Sequence, residues 1–207
     1  MSKHYIIGDG QFAELLKQLL VDENITQPHK IFFVTKKKIK KKNFIHENDF
    51  LLIKEKLNIF IGIGNIKKRL NIIKKFNKKN HNFPNFISKS ANLMKKCIIG
   101  RGNIILPNSI IQFPGKIEDH NIVGTGSVIL HHTHISSNCI IGGGASIGAG
   151  TKIGKNVFIG VGSIIASNAT NKNIKIGNYV FVCSGSVVLS SVSSNSKVIG
   201  NPARKIL

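Results

Sequence analysis

Acidic residues are scarce in this chain: nine Asp and Glu stand against thirty Lys and Arg, a formal net charge of +21 over 207 residues. Cysteine is scarce too. Cys97, Cys139 and Cys183 form an odd set without metal-ligand spacing, which argues against a disulfide-stapled scaffold and fits a reduced cytoplasmic compartment. No window approaches eighteen uninterrupted apolar residues, so no transmembrane span is expected. The opening "MSKHYIIGDGQFAELL" lacks the apolar h-region and small-residue cleavage site of a secretory signal. Apolar content is ordinary at 42%, enough for one domain with a sizeable core or two small ones.

Three sources fit the charge. One is an Ile-, Lys- and Asn-rich coding background, one an acidic small-molecule ligand such as a nucleotide, and one nucleic acid. The run "KKKIKKKN", Lys36 to Asn43, interleaves no aromatics on which bases would stack. Nucleic acid therefore ranks last.

What the chain does have is a period of six. Ile87, Leu93, Ile99, Ile105, Ile111, Ile117, Val123, Ile129, Ile135, Ile141, Ile147, Ile153, Ile159 and Ile165 fall on one register. Glycine follows that position at Gly100, Gly124, Gly142, Gly148, Gly154 and Gly160, and the position two before it is usually small, as at Ser109, Ser127 and Ser163. After Ile165 the register slips by one residue and resumes at Ile176, Val182 and Val188. A period of six suits neither a helix nor a long strand. It suits a short strand plus a corner, and three such units close a triangular coil of about eighteen residues. Coils stack about 4.8 Å apart through ladder hydrogen bonds, and each buries its apolar face only against its neighbours. The pattern predicts a parallel β-helix. It does not set the hand, and the general crossover rule favours right-handed.

Residues 1–80 read differently. "HYII" is a strand, followed by a glycine turn and a helix. "KIFFVT", Lys30 to Thr35, is a second strand, and "LNIFIGIGN", Leu57 to Asn65, a third, with "IKKRLNIIKKFNKKN" helical after it. Strand alternating with helix predicts a parallel βαβ sheet. Gly8 and Gly10 set backbone N–H groups at a helix start, where phosphate can bind. The "GDG" lacks the third glycine and the following acidic residue of a dinucleotide fingerprint.

Both parts together resemble one family, the bacterial sugar acetyltransferases that include sialic-acid O-acetyltransferases and N-acetyltransferases of nucleotide-linked 4-amino sugars. "IIGDGQFAEL" resembles the family's opening glycine turn, and "FIGIGNIKKR" its third-strand motif ending in arginine, here Arg69. "FPNFISKSANL" resembles the entry into the β-helix, and "VIGNPARKI" the terminal Gly-x-Pro-Ala segment. The resemblance implies an α/β Rossmann-like nucleotide-sugar-binding domain over 1–80 and an all-β left-handed parallel β-helix (hexapeptide repeat) with a C-terminal cap over 81–207. It implies acetyl-CoA as co-substrate, a homotrimer with acetyl-CoA between adjacent prisms, a cytoplasmic enzyme, and no metal, nucleic acid or membrane partner.

The family carries a histidine followed by an acidic residue, about twenty residues before a Lys/Thr-Ile-Gly. Counted back from Lys152–Gly154, that histidine is His131, inside "LHHTHI" where His131, His132 and His134 crowd together. The resemblance makes His131 the general base. Neutral imidazole, titrating near 6.5, suits removal of a proton from an attacking amine or hydroxyl at neutral pH. His132 stands where the family has its carboxylate and would orient His131; His134 reads as a surface residue. By the same alignment Ala149 contacts the acetyl group through its N–H, and Val161 and Ser184 contact CoA. Gly8, Gly10, Gln11, Phe12, Thr35, Lys36, Gly64 and Arg69 form the nucleotide-sugar site.

Several positions depart from the family pattern: Ile140 and Gly124 near the catalytic coil, and Gln11-Phe12 and Thr35-Lys36 in the nucleotide domain. They leave the fold untouched and bear on which sugar and nucleotide are used. The expected reaction is N-acetylation of a nucleotide-linked 4-amino sugar for surface glycan synthesis. The alternatives are O-acetylation of a sugar hydroxyl, a zinc enzyme like the γ-type carbonic anhydrases, and a basic nucleic-acid-binding module. Positions eighteen residues from the histidines are Phe113, Ala149, Pro114, Gly150, Lys116 and Lys152, so no histidine stack for zinc exists within the chain.

Overall fold

A computed structural model describes residues 3–77, 81–167 and 173–206. The chain divides into two compact units, Met1–Pro84 and Asn85–Leu207.

The first unit is a four-stranded parallel sheet with helices. Its strands are β1 (His4–Ile7), β2 (Ile31–Thr35), β3 (Phe44–His46) and β4 (Asn58–Ile61), in the order β3-β2-β1-β4. The helices are α1 (Gln11–Asp22), α2 (Glu47–Leu52) and α3 (Ile66–Asn77). The central strands are continuous apolar runs, as strands covered on both faces must be. Tyr5, Ile7, Ile59 and Ile61 pack with Phe50 of α2 and Phe76 of α3. The segment expected as a third strand is narrower, Asn58–Ile61, and it is fourth in the chain because β3 and α2 precede it. Three residues after a lysine run carry no readable alternation; pairing with β2, with the Phe33 and Phe44 rings 5.1 Å apart, makes Phe44–His46 a strand. The expected helical stretch runs as helix to Asn77, and residues 78–80 lie outside the described residues.

The second unit is a three-sided prism. Its short strands, mostly of two residues, fall into three ladders, in which the Ile105, Val123, Ile141 and Ile159 positions stack on one side, Ile111, Ile129, Ile147 and Ile165 on the next, and Ile99, Ile117, Ile135 and Ile153 on the third. Each partner lies eighteen residues on, from Val123 to Ile141 for example. The inward residues form one apolar core from Ile105 to Val198. At the open lower end Ile87 is 37% exposed, because no coil lies beneath it.

The glycines divide into two kinds. A Cβ on Gly142 would lie 2.5 Å from the Val161 nitrogen of the next coil, so the side chain is excluded by the stacking itself. Gly144, two positions on, faces open space but has φ +65°, the left-handed corner. That corner recurs every six residues, held by Gly126, Asn138, Gly150 and Asn156 among others.

The slip after Ile165 has a different origin from the one-residue shift that the sequence suggests. Lys152 pairs with Lys175 and Ile153 with Ile176, a step of twenty-three residues where eighteen is usual. A coil with five extra residues and a register one short are indistinguishable modulo six. The residues 168–172 lie outside the described ones.

Candidate active site

His131 and His132 lie at a prism edge, just past the Val128–Ile129 strand. Ladder hydrogen bonds fix this corner from both sides. The Gly150 N–H donates to the His131 carbonyl at 2.9 Å, and the His132 N–H donates to the Pro114 carbonyl. His132 itself takes the left-handed conformation, φ +59°, which histidine tolerates better than most residues. That twist throws the two exposed rings together. Their Nδ1 atoms are 2.9 Å apart and the ring planes nearly perpendicular, at 85°. Such a contact holds one proton between two nitrogens. When it resides on His131 Nδ1, the Nε2 of His131 carries the free lone pair of a base.

His134 is on a separate arm. It is half-buried, and its Nε2 lies 3.0 Å from Glu118 Oε1, while the Ser137 hydroxyl donates to Glu118 Oε2 at 3.1 Å. Burial pushes the Glu118 carboxyl up, but its hydrogen bonds from His134 and Ser137 and the charges of His134 and Lys116 outweigh burial and hold it below 4.5. A depressed carboxylate stabilises the fold above its ordinary pKa and loses that contribution as pH falls through the lower folded value. Glu118→Gln is therefore expected to flatten the acid limb of melting temperature against pH below about 4.5. A limb as steep as wild type would remove Glu118 as its source.

The other expected contacts divide between two prism edges. Ala149 stacks one coil from His131, since the Val128–Ile129 and Ser146–Ile147 strands are paired. Its N–H, however, donates to the Ser167 hydroxyl at 2.9 Å. It is not a ready-made donor for an acetyl carbonyl, which must displace that hydroxyl. Val161, 60% exposed, and the exposed Ser184 stack on a different edge, after the Phe158–Ile159 and Phe181–Val182 strands. One chain thus presents the histidine corner and the expected CoA corner on separate edges.

In the first unit, a cleft of about 390 Å³ opens at the carboxyl ends of β1, β2 and β4, the usual place for a ligand on an open parallel sheet. Gly8, Thr35 and Lys36 line it, as do Asp9 and Lys37. Gly10, Gln11, Phe12 and Gly64 do not line it; Gly10 is the N-cap of α1. The Gly8 N–H is spent on the Val34 carbonyl at 2.9 Å, so Gly8 offers no phosphate donor, contrary to expectation. Its glycine is still required: φ is +125° and a Cβ would meet the Gly62 carbonyl oxygen at 2.8 Å. Asp9, inside the "GDG" but unremarked by motif reading, accepts from the Thr35 hydroxyl at 2.8 Å and pairs with Lys37 at 2.9 Å. The Lys37 hydrogen bond, chiefly, holds its carboxyl below the ordinary value.

Arg69 also departs from expectation. It is fully buried and donates from Nη1 to the carbonyls of Ile61 at 2.9 Å and Ile63 at 3.1 Å. Burial lowers it to about 10, so it stays charged at neutral pH and braces the chain beyond β4. It has no surface for substrate. Arg69→Leu is expected to cost roughly 1–3 kcal/mol in urea unfolding, because buried carbonyls lose their donor, with ligand affinity of the folded fraction unchanged. A selective affinity loss at full stability would restore the substrate role.

Among the described residues no group of three His, Cys, Asp or Glu side chains is placed to hold a metal ion, and no helix is long and apolar enough to cross a membrane. The three cysteines are free thiols, and burial, first of all, pushes Cys139 up to about 12.

No family model matches the chain, and no curated protein matches it. Solved structures do. The acetyltransferase domain of PglB from Neisseria gonorrhoeae FA1090, in complex with acetyl coenzyme A, superposes with a TM-score of 0.86 at 23% identity, covering 99% of this chain and 98% of that one. PerB from Caulobacter crescentus, in complex with CoA and GDP-perosamine, gives 0.86 at 22% identity over 99% and 97%. WeeI from Acinetobacter baumannii AYE gives 0.90 at 20% identity over the whole of both chains. At such identities the likeness speaks for the fold: mostly parallel sheets with few helices, as in a left-handed β-helix acetyltransferase.

Proposed function

We propose that this protein transfers the acetyl group of acetyl-CoA to the amino group of a nucleotide-linked 4-amino sugar, with His131 as general base. The observation that carries the reading is the 2.9 Å contact between the His131 and His132 Nδ1 atoms at an exposed prism corner. In the productive tautomer His131 Nδ1–H donates to His132 Nδ1, leaving His131 Nε2 to accept a proton. The acceptor nitrogen forms its bond to the acetyl carbon, Nε2 takes the proton lost by that nitrogen, and the carbon–sulfur bond breaks. The departing thiolate takes that proton back from His131 Nε2 and leaves as CoA, which returns His131 to its neutral form. As His131 becomes imidazolium, its Nδ1–H bond to His132 becomes charge-assisted and strengthens. His132 is thus a positioning residue. It supplies less than a carboxylate would, which suits an amine, the better nucleophile, over a hydroxyl.

In this reading the first unit is a Rossmann-like nucleotide domain whose cleft holds the nucleotide of the acceptor. Lys36 and Lys37 supply the cations that Gly8 does not. Ala149, Val161 and Ser184 belong to the acetyl-CoA site. Their placement on two separate edges is what a cyclic homotrimer would join, one prism's histidine corner facing the next prism's Val161 corner. The likeness to PerB, whose structure contains CoA and GDP-perosamine, and to the PglB domain bound to acetyl coenzyme A supports both substrates. Three free thiols support a reducing, cytoplasmic setting.

The test is thiol release from acetyl-CoA against a panel of UDP-, GDP- and dTDP-linked 4-amino sugars, with sugars bearing only hydroxyls alongside. Turnover confined to amino sugars is expected. Turnover of hydroxyl acceptors alone would make the protein an O-acetyltransferase. Silence across the panel from folded protein would remove the reading.

A further inference from the structure

A groove of about 280 Å³ lies on the prism beside His132. Ile98 and Phe113 give it an apolar wall, 62% and 43% exposed, and Lys96 and Lys116 also line it. Lys116 lies 3.9 Å from Glu118, which His134 also engages. Lys96 makes no ion pair among the described residues.

The backbone adds an independent observation. Lys96 sits in the left-handed corner, φ +69°, which the repeat fills mostly with glycine or asparagine. Among the described residues only Lys96, His120, His132 and Tyr179 hold a positive φ without being either. Two of those four, Lys96 and His132, line this one groove, two coils apart on the same edge. A long side chain in that conformation costs stability that glycine would not, and strain of this kind gathers where a side chain has a task.

We propose that the groove is an anion subsite for the acetyl acceptor: Lys96 and Lys116 hold a phosphate or carboxylate that the acceptor carries, while Ile98 and Phe113 receive the apolar face of its sugar ring. The subsite rests on the acetyl-transfer reading above and names the acceptor's class, a sugar with an anionic group close to its reactive nitrogen. The donor does not explain the lysines. The pantetheine arm separates the phosphates of CoA from its thioester, so an anion beside His132 belongs to the acceptor.

The test has two arms. In steady-state kinetics, Lys96→Gly and Lys116→Ala are each expected to raise the acceptor KM about tenfold, the loss of one charge-assisted contact, with the acetyl-CoA KM unchanged. Lys96→Gly is also expected to raise the melting temperature, because glycine relieves the corner; a merely structural lysine would not couple greater stability to weaker acceptor binding. Unchanged acceptor KM in both variants overturns the subsite and leaves acetyl transfer standing. In the second arm, inorganic pyrophosphate and glucuronate are titrated against wild-type protein while the His132 ring resonances, assigned with His132→Asn, are followed by NMR. A shift with pyrophosphate that Lys96→Gly abolishes assigns a phosphate, and the same with glucuronate assigns a carboxylate. No shift with either overturns the subsite. A Lys96-dependent shift in a protein that acetylates nothing keeps the anion site and removes the acetyl-transfer reading instead.

Discussion

On the acetyl-transfer reading, His131→Ala is expected to lose most turnover, with kcat lowered by about 10²- to 10⁴-fold and the melting temperature near wild type. The two outcomes have separate causes. The imidazole is exposed and points away from the prism interior, so truncating it removes no core packing, and surface changes of this kind usually stay within about 0.5 kcal/mol. The backbone bonds that shape the corner, Gly150 N–H to His131 carbonyl and His132 N–H to Pro114 carbonyl, do not involve the side chain. What the variant would lose is the group proposed to receive the proton. Residual turnover comes from positioning of the two substrates. His132→Asp is an informative companion, because aspartate also tolerates the left-handed conformation and puts a carboxylate beside His131. It should preserve the fold and keep most activity, whereas His131→Ala should not. Thiol release at saturating acetyl-CoA, with circular dichroism on the same samples, measures both. A His131→Ala protein with wild-type kcat would end the assignment of His131 as base.

Gly142→Ala is expected to destabilise the prism far more than Gly144→Ala, although the two sites are two residues apart. At Gly142 a Cβ would stand 2.5 Å from the Val161 nitrogen and 2.6 Å from the Gly160 carbonyl carbon. Both are backbone atoms of the next coil, locked in the ladder, so neither can swing aside. The coils must separate locally, at about 3 kcal/mol or more, the upper range for overpacking. At Gly144 a Cβ meets nothing within 4 Å, and only the left-handed backbone, φ +65°, is penalised, at roughly 1 kcal/mol. Urea unfolding of the two variants tests the order. Equal losses would mean that stacked coils can slide apart without cost, contrary to the ladder.

The period of six carried the prism from sequence to structure because it encodes one physical fact repeatedly, that every sixth side chain faces inward. Other features lack such repetition. The strand Phe44–His46 exists because Phe33 lies beside Phe44, a pairing between residues eleven apart with no pattern to announce it. The five extra residues in one coil look like a one-residue slip because a count modulo six discards whole strands. The histidine corner could be located in the sequence, but its geometry could not, since the 2.9 Å contact depends on the backbone sign at His132.

Sequence alone settled which side chains face inward, where the corners fall and which corner holds the histidines, because these follow from periodicity along the chain. Only the tertiary structure decided the partners of individual polar groups. The Gly8 N–H was committed to Val34, that of Ala149 to Ser167, and the Arg69 guanidinium to the carbonyls of Ile61 and Ile63. Each of these had been assigned to a ligand by motif. A buried or stacked donor is claimed by whatever acceptor packing brings closest, and that neighbour lies six to twenty-six residues away along the chain.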